Sequence, residues 1–465
     1  MVTSRTESTE HPKPAAPGGR KLSIWHIAET YPPDYGGGAA IYIRDVCRMM
    51  AERGHIVRVL CTEKADGDTY SVRTEYDGAV QVDRVNLPYF KTVDPEGWQL
   101  GLIRWLRHQR RVARLIDGCL VDWRPDLVHY HTCRPLGEEA LSAVHRHGIP
   151  IVGMLHEAWL ICARVMLFRS PAGEACEGPG VRRCLECMYT HYDKTVARAM
   201  AKLPWRVVKL GVYPAYRLWR RRGARRTLLG AIAYSRFMSR MHTGRIGGPV
   251  LYIPLGVDLQ DAPEVLPARP RSPLRFGFVA GFQIHKGIWH VLDACAALKR
   301  QGLSFELHVW GPHSDKGSKE IVSRGLQDRV FSHGLFRPEK MWEVYREIDV
   351  AVMATTVCEP LGRVPLEAAA AGAPTIAPAV GGIPESIRHG EDGLLYRFLD
   401  VEDLERQMRR VLEERDLVLR LIGNVHRPPN TVDQAATLEA YYLDAAASTS
   451  HAGEKMGVPL SPRGE

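Results

Sequence analysis

Apolar segments of strand length alternate with segments of helical periodicity along most of the chain. In the first half, four apolar runs are predicted to be strands: Lys21–Ala28, His55–Cys61, Asp126–His131 and Ile149–His156. Between the first two lie a glycine-rich turn and Ala39–Arg53, whose apolar residues recur at helical spacing up to the stop signal Gly54. A strand, a glycine-rich turn, a helix and a second strand in this order are typical of a doubly wound α/β domain.

The same alternation starts again after a proline-rich stretch, Leu259–Ser272. The predicted strands there are Leu274–Ala280, Ser304–Trp310, Arg329–Ser332 and Asp349–Ala354, and the predicted helices are Pro338–Arg346, Glu402–Glu414 and Thr431–Ala447. A chain of 465 residues exceeds what one hydrophobic core usually holds. We therefore predict two α/β domains, residues 21–258 and 273–430, joined by a linker at 259–272.

Composition agrees with a soluble globular protein, since 45% of the residues are hydrophobic and 25% are charged. No apolar run approaches the roughly 20 residues needed to cross a bilayer. Residues 1–20 lack the apolar core of a signal peptide, and they and residues 448–465 are predicted to be disordered tails. We therefore expect a cytoplasmic protein.

The segment Cys358–Tyr396 carries the densest pattern of candidate site residues. Two carboxylates, Glu359 and Glu367, stand eight residues apart, with a glycine-containing turn and the start of an alanine-rich helix between them. Pro365 fits the first turn of that helix, which we predict over Pro365–Ala371. The backbone N–H groups of Gly362–Val364 would then point at an anion in front of the helix. Two carboxylates beside an anion site suit a ligand with both hydroxyls and phosphates, such as a nucleotide-sugar.

This segment resembles the donor-binding segment of the retaining GT-B glycosyltransferases of family 4, also called glycosyl transferases group 1. The residues that match the family pattern are Glu359, Glu367, Gly372, Pro374, Gly381, Gly382, Pro384, Glu385, Gly393 and Leu394. The resemblance extends from Lys21 to Ala447 and implies a GT-B fold, in which two Rossmann-like domains face each other across a cleft. It also implies that residues 21–258 bind the acceptor, that residues 273–430 bind the donor, and that helix 431–447 crosses back onto the first domain.

On the acceptor side, the resemblance points to a glycine-rich turn and to two histidines. Gly37 and Gly38 match a turn that approaches the donor diphosphate and the acceptor. The family also has a sugar-contacting histidine at the carboxyl end of the strand that ends here at His131, where ligands bind in such sheets. We assign this contact to His131 rather than His129, because both share one face of the strand but His131 is nearer the cleft. His156 would border the acceptor.

On the donor side, Lys286 and Gly287 match the family's phosphate-binding turn, in which an arginine and a lysine neutralise the diphosphate. Gly281 occupies the position of that arginine in this chain. Arg363 lies four residues after Glu359, near the N-terminus of the predicted helix. Our hypothesis is that Arg363 supplies the missing positive charge.

The resemblance implies catalysis by electrostatic stabilisation. Lys286, Arg363 and the Gly362–Val364 amides would stabilise the charge on the leaving diphosphate, so we expect no catalytic metal. Glu367 would hold the ribose hydroxyls, and Glu359 would contact the donor sugar and support its developing oxocarbenium character. We therefore expect a hexosyltransferase that moves sugar from a UDP- or GDP-sugar to a lipid-linked or polysaccharide acceptor with retention of anomeric configuration.

A Gly-, Pro- and Arg-rich insertion at residues 162–187 contains four cysteines, Cys162, Cys176, Cys184 and Cys187. The last two have the C-x2-C spacing common in zinc sites, and four thiolates would form a closed, structural zinc site. Ten cysteines in a chain without an export signal favour reduced thiols over disulfides. Two interpretations stay open: a structural zinc that orders the insertion, and four reduced thiols of which some are buried.

Positive charge is concentrated in two segments of the first domain, within a net charge of +9. Lys202–Arg226 contains nine lysines and arginines and no acidic residue, with four interleaved aromatic residues, and Arg104–Arg114 is the second such segment. Basic helices with aromatic residues suit anionic lipid headgroups, and we favour this interpretation over a solvated face. The protein would then associate peripherally with the cytoplasmic face of the membrane. No nucleic-acid-binding motif accompanies these charges, so we expect no nucleic acid partner.

Three other functions were weighed against the transferase. A catalytically silent GT-B-like scaffold that binds sugar-nucleotides is favoured by Gly281 but opposed by the intact Lys286, Glu359, Glu367 and His131. An epimerase or a phosphorylase could use the same fold, although the lysine signature of a pyridoxal phosphate phosphorylase is not evident. A basic nucleic-acid-binding α/β protein would leave the donor-domain pattern unexplained.

Overall fold

The computed structural model describes residues 20–33, 37–63, 70–87, 102–131, 134–162, 165, 167–169, 174–180, 183–184, 187, 219–262 and 270–455. Within these residues the chain forms two large sheets, of eight and six strands, and one small hairpin. Both large sheets are parallel apart from one edge pair and carry helices on their faces. The predicted α/β class with two doubly wound units is therefore confirmed.

The first sheet comes from residues 23–252. The strands of this region are β1 (Ser23–Ala28), β2 (Ile56–Glu63), β3 (Ser71–Asp77), β4 (Val80–Asn86), β5 (Leu127–His131), β6 (Ile151–Met154), β7 (Phe168–Arg169), β8 (Glu174–Ala175), β9 (Gly230–Ala233) and β10 (Val250–Tyr252). The sheet order is β10-β9-β6-β5-β1-β2-β4-β3, and β7 and β8 pair separately as a hairpin inside the cysteine-containing insertion. Strand β6 is shorter than predicted and ends before His156, which lies in the following turn.

Helices cover both faces of this sheet. They are α1 (Gly38–Glu52), α2 (Leu102–Asp122), α3 (Gly137–Arg146) and α4 (Arg236–His242). Helix α1 matches the predicted helix to within one residue, because its buried residues recur at the predicted spacing, as at Tyr42, Val46 and Met50. Helices α2 and α3 contribute to a second cluster on the opposite face of the sheet.

The second sheet comes from residues 274–396. Its strands are β11 (Leu274–Val279), β12 (Phe305–Trp310), β13 (Val330–Gly334), β14 (Val350–Val352), β15 (Thr375–Pro378) and β16 (Gly393–Tyr396), and its helices are α5 (Ile288–Arg300), α6 (Asp315–Ser323), α7 (Met341–Arg346), α8 (Arg363–Ala370), α9 (Val401–Glu413) and α10 (Arg415–Asn424). The strand order is β13-β12-β11-β14-β15-β16, and every pair is parallel. The carboxyl ends of β11 and β14 therefore lie side by side, and the candidate site forms there.

A long final helix, α11 (Thr431–Lys455), packs against α1 and β5 of the first domain. Glu439 pairs with Arg53 (2.7 Å) and His55 (2.9 Å), and the Tyr442 hydroxyl lies 2.6 Å from His129 Nδ1. The predicted start of this helix is right, but the predicted tail from residue 448 is wrong up to Lys455. In the serine-rich stretch, the Ser448 hydroxyl donates a hydrogen bond to the carbonyl oxygen of Asp444 (2.9 Å), one turn earlier, so this side chain has its partner within the helix.

Two hydrogen-bonded contacts join the domains around the first turn of α4. The Ser235 side chain caps this helix by accepting from the Met238 N–H (3.1 Å), and it donates to the Pro360 carbonyl of the second domain (2.6 Å). Glu385 accepts from the backbone N–H groups of Arg236 and Phe237, both at 2.6 Å. A carboxylate of one domain thus satisfies the helix N-terminus of the other.

The described part of the predicted basic segment 202–226 is largely structural. Residues 202–218 lie outside the described residues, and residues 219–224 are helical. Arg221 is buried and pairs with buried Glu138 (3.0 Å), while Arg225 donates to the Leu160 carbonyl (3.0 Å). These two arginines hold the chain after β6 in place and are not available to lipid headgroups, whereas the lipid-facing interpretation of residues 202–218 stays a prediction. None of the helices in the described ranges is long and apolar enough to cross a membrane.

Candidate functional site

Lys286 and Glu359 form an ion pair at the carboxyl end of the second sheet. Lys286 ends a short 3-10 turn after β11, and Glu359 lies in the loop between β14 and α8. Lys286 Nζ is 2.6 Å from Glu359 Oε1, and the Thr355 hydroxyl donates to the same oxygen at 3.3 Å. The two charged side chains remain 33% and 14% exposed, so both can still reach a ligand in the cleft.

Arg363 and Glu367 form a second ion pair, one helical turn apart on α8. Arg363 Nε donates to Glu367 Oε1 (2.9 Å), and the Tyr345 hydroxyl donates to Oε2 of the same carboxylate (2.9 Å). Glu367 is 9% exposed and is therefore fixed from both sides. The sequence predicted the two glutamates and the arginine, but it gave no indication of Tyr345.

The predicted anion site at the start of α8 is open. Gly362 occupies the N-cap position with a φ of 87°, and no side chain of the described residues caps the first turn. A glycine is needed here because few other residues adopt a positive φ. The first N–H groups of α8 therefore have no side-chain cap and can donate to an anionic ligand.

Close backbone contacts require glycine at two positions near Lys286. A Cβ on Gly287 would stand 1.7 Å from the Ala354 carbonyl oxygen, and Gly287 has a φ of 76°. A Cβ on Gly281 would meet Pro312 N at 2.5 Å, and its φ is 63°. Hence Gly281 is the residue that this close approach of two loops requires, and an arginine side chain does not fit there.

The glycine pair Gly381–Gly382 supports the loop that carries Glu359. Gly382 N–H donates to the Glu359 carbonyl oxygen (3.0 Å). A Cβ on Gly381 would stand 2.0 Å from that oxygen, and a Cβ on Gly382 would stand 1.9 Å from the Pro360 carbonyl oxygen. The matched glycine motif thus packs directly under the Glu359 loop.

The first domain approaches this site through its glycine-rich turn. A Cβ on Gly38 would lie 2.5 Å from Arg363 Cδ, so the start of α1 lies against the start of α8. Tyr234 lies within the influence of the Glu359 and Arg363 side chains. Burial raises the pKa of its hydroxyl, the Glu359 charge raises that pKa further, and the Arg363 charge lowers it. The structure therefore brings Gly38, Arg363, Glu359 and Tyr234 together across the cleft.

The predicted histidines form a row of stacked and hydrogen-bonded rings. His131 Nε2 lies 2.8 Å from His26 Nδ1, and His131 Nδ1 lies 3.1 Å from His156 Nε2. Since both ring nitrogens of His131 are occupied and the residue is 2% exposed, it lies behind His156 and is not placed to contact a sugar directly. His156 is half-buried and lies beside Tyr234.

These histidines should make stability depend on pH. Burial lowers the pKa of His26 and of His156 to about 3, and burial followed by the neighbouring imidazoles lowers the pKa of His131 well below its usual value. Because the unfolded chain binds protons more readily, with a histidine pKa near 6.5, stability should fall as the pH drops from about 6.5 toward 3. Urea unfolding midpoints at several pH values test this, and His26→Leu should make the decline shallower. An equal slope in the variant would contradict the assignment.

Two cysteines of the insertion, Cys162 and Cys176, lie near Cys358 of the donor loop. Burial raises the pKa of Cys184, and neighbouring Cys176 and Cys187 raise it further. Burial raises the pKa of Cys358 to about 12, with contributions from Cys176, from Glu359 and from Cys162. The insertion therefore reaches the residue next to Glu359. Among the described residues, the cysteines do not form a group of three or more whose ligand atoms all lie within 4.8 Å of one another. The group that does is His26, His129 and His131.

Sequence reasoning missed the residues that act over long sequence distances. Tyr345, Tyr234 and His26 have no motif around them that marks them. His26 could have been found from the pairing of β1 with β5, which places it opposite His129. Glu385 was matched to a motif, but its role in capping α4 needs the second domain in place.

Two family models match nearly the whole of the folded chain. The model described as Glycosyltransferase Family 4 matches residues 36–261, and the model described as Glycosyl transferases group 1 matches residues 267–427. Their border falls within the predicted linker. Glycogen synthase from Mycobacterium tuberculosis is 25% identical over 410 residues, which is 84% of this chain and 86% of that protein.

Solved structures agree with this assignment at the level of the fold. Sucrose-phosphate synthase from Thermosynechococcus elongatus superposes with a TM-score of 0.61 at 17% identity, covering 94% of this chain and 99% of that one. Anabaena HepE, solved with UDP and glucose, superposes with a TM-score of 0.53 at 18% identity, covering 94% and 100%. The predicted GT-B arrangement of two Rossmann-like domains is thus confirmed.

Proposed function

We propose that this chain, which belongs to glycosyltransferase family 4, moves a hexosyl group from a nucleoside diphosphate sugar to a glycan or lipid-linked acceptor with retention of anomeric configuration. Its membership of the family supports a glycosyltransferase that uses nucleotide-sugar donors. The observation that carries the finer proposal is the pair Lys286–Glu359 (2.6 Å) beside the uncapped N-terminus of α8. A cation, a carboxylate and free N–H groups at one point match the chemical groups of a sugar diphosphate.

In the proposed reaction, Lys286 and the α8 amides stabilise the diphosphate as it leaves. Arg363 adds positive charge from the same helix start, and its contact with Gly38 places it where the two domains meet. Such preorganised donors act on the charge that develops in the transition state. Glu359 supports positive charge on the sugar ring, and Glu367, held by Arg363 and Tyr345, accepts hydrogen bonds from the ribose hydroxyls.

The protein's own cations make a metal-independent reaction part of this proposal. Lys286 and Arg363 supply two positive charges at the place where a divalent ion would neutralise the diphosphate. Activity should therefore be unchanged by EDTA. A loss of activity that Mg²⁺ or Mn²⁺ restores would contradict this part of the proposal.

Slow donor hydrolysis is the experiment that tests the function. Purified protein is incubated with UDP-, GDP- and ADP-hexoses, with UDP-glucose first because HepE was solved with UDP and glucose. Proton NMR then identifies the anomer that is released first. The retained anomer from one preferred donor supports the proposal. Release of the inverted anomer, or binding without any turnover even with acceptors added, would favour another mechanism or the silent scaffold.

Membrane association belongs to the proposal through helix α2. Its buried face includes Val112, and three arginines on its other face, Arg107, Arg110 and Arg114, are exposed. Each basic side chain near an anionic surface contributes about 1 kcal/mol at low salt. Such a face suits an acceptor that is presented on a lipid.

Co-sedimentation with vesicles tests this face. We expect binding to phosphatidylglycerol-containing vesicles, weak binding to phosphatidylcholine vesicles, and at least a tenfold loss when Arg107, Arg110 and Arg114 are changed to glutamate. The matched control changes three exposed basic residues of the second domain, Arg300, Lys319 and Arg420, to glutamate. Equal binding by the two triple variants would contradict a role of α2.

A structural zinc at Cys162, Cys176, Cys184 and Cys187 is the last part of the proposal. The Cys176 sulfur accepts a hydrogen bond from the Gly178 N–H and donates one to the Gly178 carbonyl oxygen, both at 3.4 Å, and on binding zinc as a thiolate it would keep only the first. Binding of the ion would draw the four sulfurs together and stabilise the insertion.

Metal analysis of the reduced, purified protein should find about one zinc per chain if the four thiolates form a closed site. Cys184→Ser and Cys187→Ser should lose it, whereas Cys119→Ser, at a cysteine of α2 outside the insertion, should keep it. A metal-free protein that takes up no zinc after reduction, or retention of zinc in both insertion variants, would contradict this site.

A further inference from the structure

The hydrogen bonds between the imidazoles of the row all run in one direction. The ring nitrogens at its two ends indicate which direction this is. His26 Nδ1 and His131 Nε2 are 2.8 Å apart, and His131 Nδ1 and His156 Nε2 are 3.1 Å apart. At the inner end, His26 Nε2 is buried and has no hydrogen-bond partner in the part of the chain that the structure describes. At the outer end, His156 Nδ1 has no partner among the described residues either, but it is not among the buried unpaired atoms.

The rings are neutral around pH 7, because burial lowers the pKa of His26 and of His156 to about 3, and that of His131 well below its usual value. A neutral imidazole carries one N–H and one acceptor nitrogen. Each hydrogen bond in the row needs one of each. The three tautomers are therefore coupled, and only two arrangements satisfy both bonds.

In the first arrangement, all three rings carry the proton on Nδ1, and the unpaired atom at His26 Nε2 is an acceptor. In the second arrangement, all three carry it on Nε2, so an N–H group is buried at His26 without an acceptor. Buried N–H groups without a partner are rare in proteins, and only the second arrangement creates one at His26. The first arrangement is therefore favoured.

We propose that His26 and His131 are positioning residues that hold His156 as its Nδ1–H tautomer, so that His156 donates a hydrogen bond to an oxygen of the bound substrate. This inference rests on the proposed function for the identity of the ligand, which is a sugar hydroxyl or phosphate oxygen.

The surroundings of His156 agree with this role. Its ring lies 5.3 Å from that of Tyr42 on α1 and 6.0 Å from that of Tyr234, measured between ring centroids. Tyr234 donates its hydroxyl hydrogen bond to the His156 carbonyl oxygen (2.9 Å), which fixes the turn after β6. The charges of Glu359 and Arg363 act on the Tyr234 hydroxyl, so the residue that fixes this turn also faces the donor side.

Metal binding is the other function that such a cluster can have. His26, His129 and His131 have ligand atoms within 4.8 Å of one another. However, the 2.8 Å between His26 and His131 is a hydrogen-bond distance, whereas two nitrogens bound to one tetrahedral zinc at about 2.05 Å lie about 3.3 Å apart. In this structure the His26 Nδ1 and His131 Nε2 nitrogens are therefore joined by a hydrogen bond, and His26 Nε2 and His129 Nε2 are buried without a partner among the described residues.

Tautomers can be read directly from ¹⁵N-histidine-labelled protein by two-bond proton–nitrogen correlation, with His156→Gln to assign the signals. We expect His156 protonated on Nδ1 in the wild-type protein. In His26→Leu, His131 loses its donor and is free to reverse, so the His156 signal should shift toward the Nε2–H form. The matched control is His129→Leu, since His129 is paired with His26 in register and equally buried but bonds to Tyr442 outside the row.

Kinetics provide a second readout. His26→Leu should lower kcat/KM by about five- to tenfold, the effect of one misdirected hydrogen bond. Wild-type His156 protonated on Nε2, or a histidine row whose signals change when a chelator removes a bound ion, would overturn the proposal. The tautomer measurement needs no donor or turnover, so it can fail or succeed independently of the proposed function.

Discussion

Replacing Lys286 with alanine is expected to lower kcat by about 10²–10³-fold, the usual effect of removing one preorganised group that stabilises developing charge. Lys286 is the cation nearest to Glu359 in the structure, at 2.6 Å. Its loss removes positive charge from the leaving diphosphate and also frees the Glu359 carboxylate from its main partner. Steady-state kinetics of donor hydrolysis and of transfer measure the effect.

Lys299→Ala is the matched control for this change. Lys299 lies on α5 in the same domain and pairs with Asp328, but both side chains are on the outer surface. The control should retain wild-type kcat, and both variants should unfold at a temperature within a few degrees of the wild type. A Lys286 variant that is fully active, or one that is inactive only because it is unfolded, would contradict the role assigned to Lys286.

Replacing Arg363 with alanine is expected to raise the donor KM by about 10–100-fold, with a smaller change in kcat. A hydrogen bond to a charged group contributes about 1.5–3 kcal/mol, and Arg363 would make such bonds to the diphosphate. The variant also removes one of the two groups that fix Glu367, so the ribose contact would weaken in the same direction. Titration of the donor in initial-rate assays gives KM, and calorimetry gives the affinity directly.

Two further variants sharpen this prediction. Arg410→Ala removes an arginine–glutamate pair of the same i,i+4 spacing, Arg410–Glu414, at the end of α9 outside the cleft. It should leave the donor KM unchanged. Gly38→Ala leaves Arg363 in the chain, but its methyl group would stand 2.5 Å from Arg363 Cδ and displace the side chain. It should raise the donor KM as well. An unchanged donor KM in both Arg363→Ala and Gly38→Ala would rule out the hypothesis that Arg363 supplies the positive charge missing at Gly281.

The fold was predictable because its information is local. Apolar runs of strand length located β1, β2, β5 and β11 to within a few residues, and the spacing of Tyr42, Val46 and Met50 located α1. The end of α11 was missed because serine usually weakens a helix. Ser448 is accommodated by a hydrogen bond to Asp444, which composition cannot reveal.

The donor side of the cleft was also predictable, since Glu359, Arg363 and Glu367 lie in one continuous segment and Lys286 belongs to a recognisable turn. The first-domain side was not, because its geometry depends on how strands pair. His131 stands at the end of its strand, as expected, yet its neighbours on β1 and after β6 occupy both ring nitrogens. Likewise, the reason for Gly281 lies in Pro312, some thirty residues later, where no local pattern points to it.

Calorimetric titration of the purified protein with UDP-, GDP- and ADP-sugars, in EDTA, measures directly whether this cleft binds a nucleotide-sugar. We expect saturable binding of one donor class without metal, weakened at least tenfold in Lys286→Ala and in Arg363→Ala and unchanged in Lys299→Ala. Absence of binding to every donor, or binding that depends on a divalent ion and ignores both cleft variants, would contradict the assignment of this cleft as a nucleotide-sugar site.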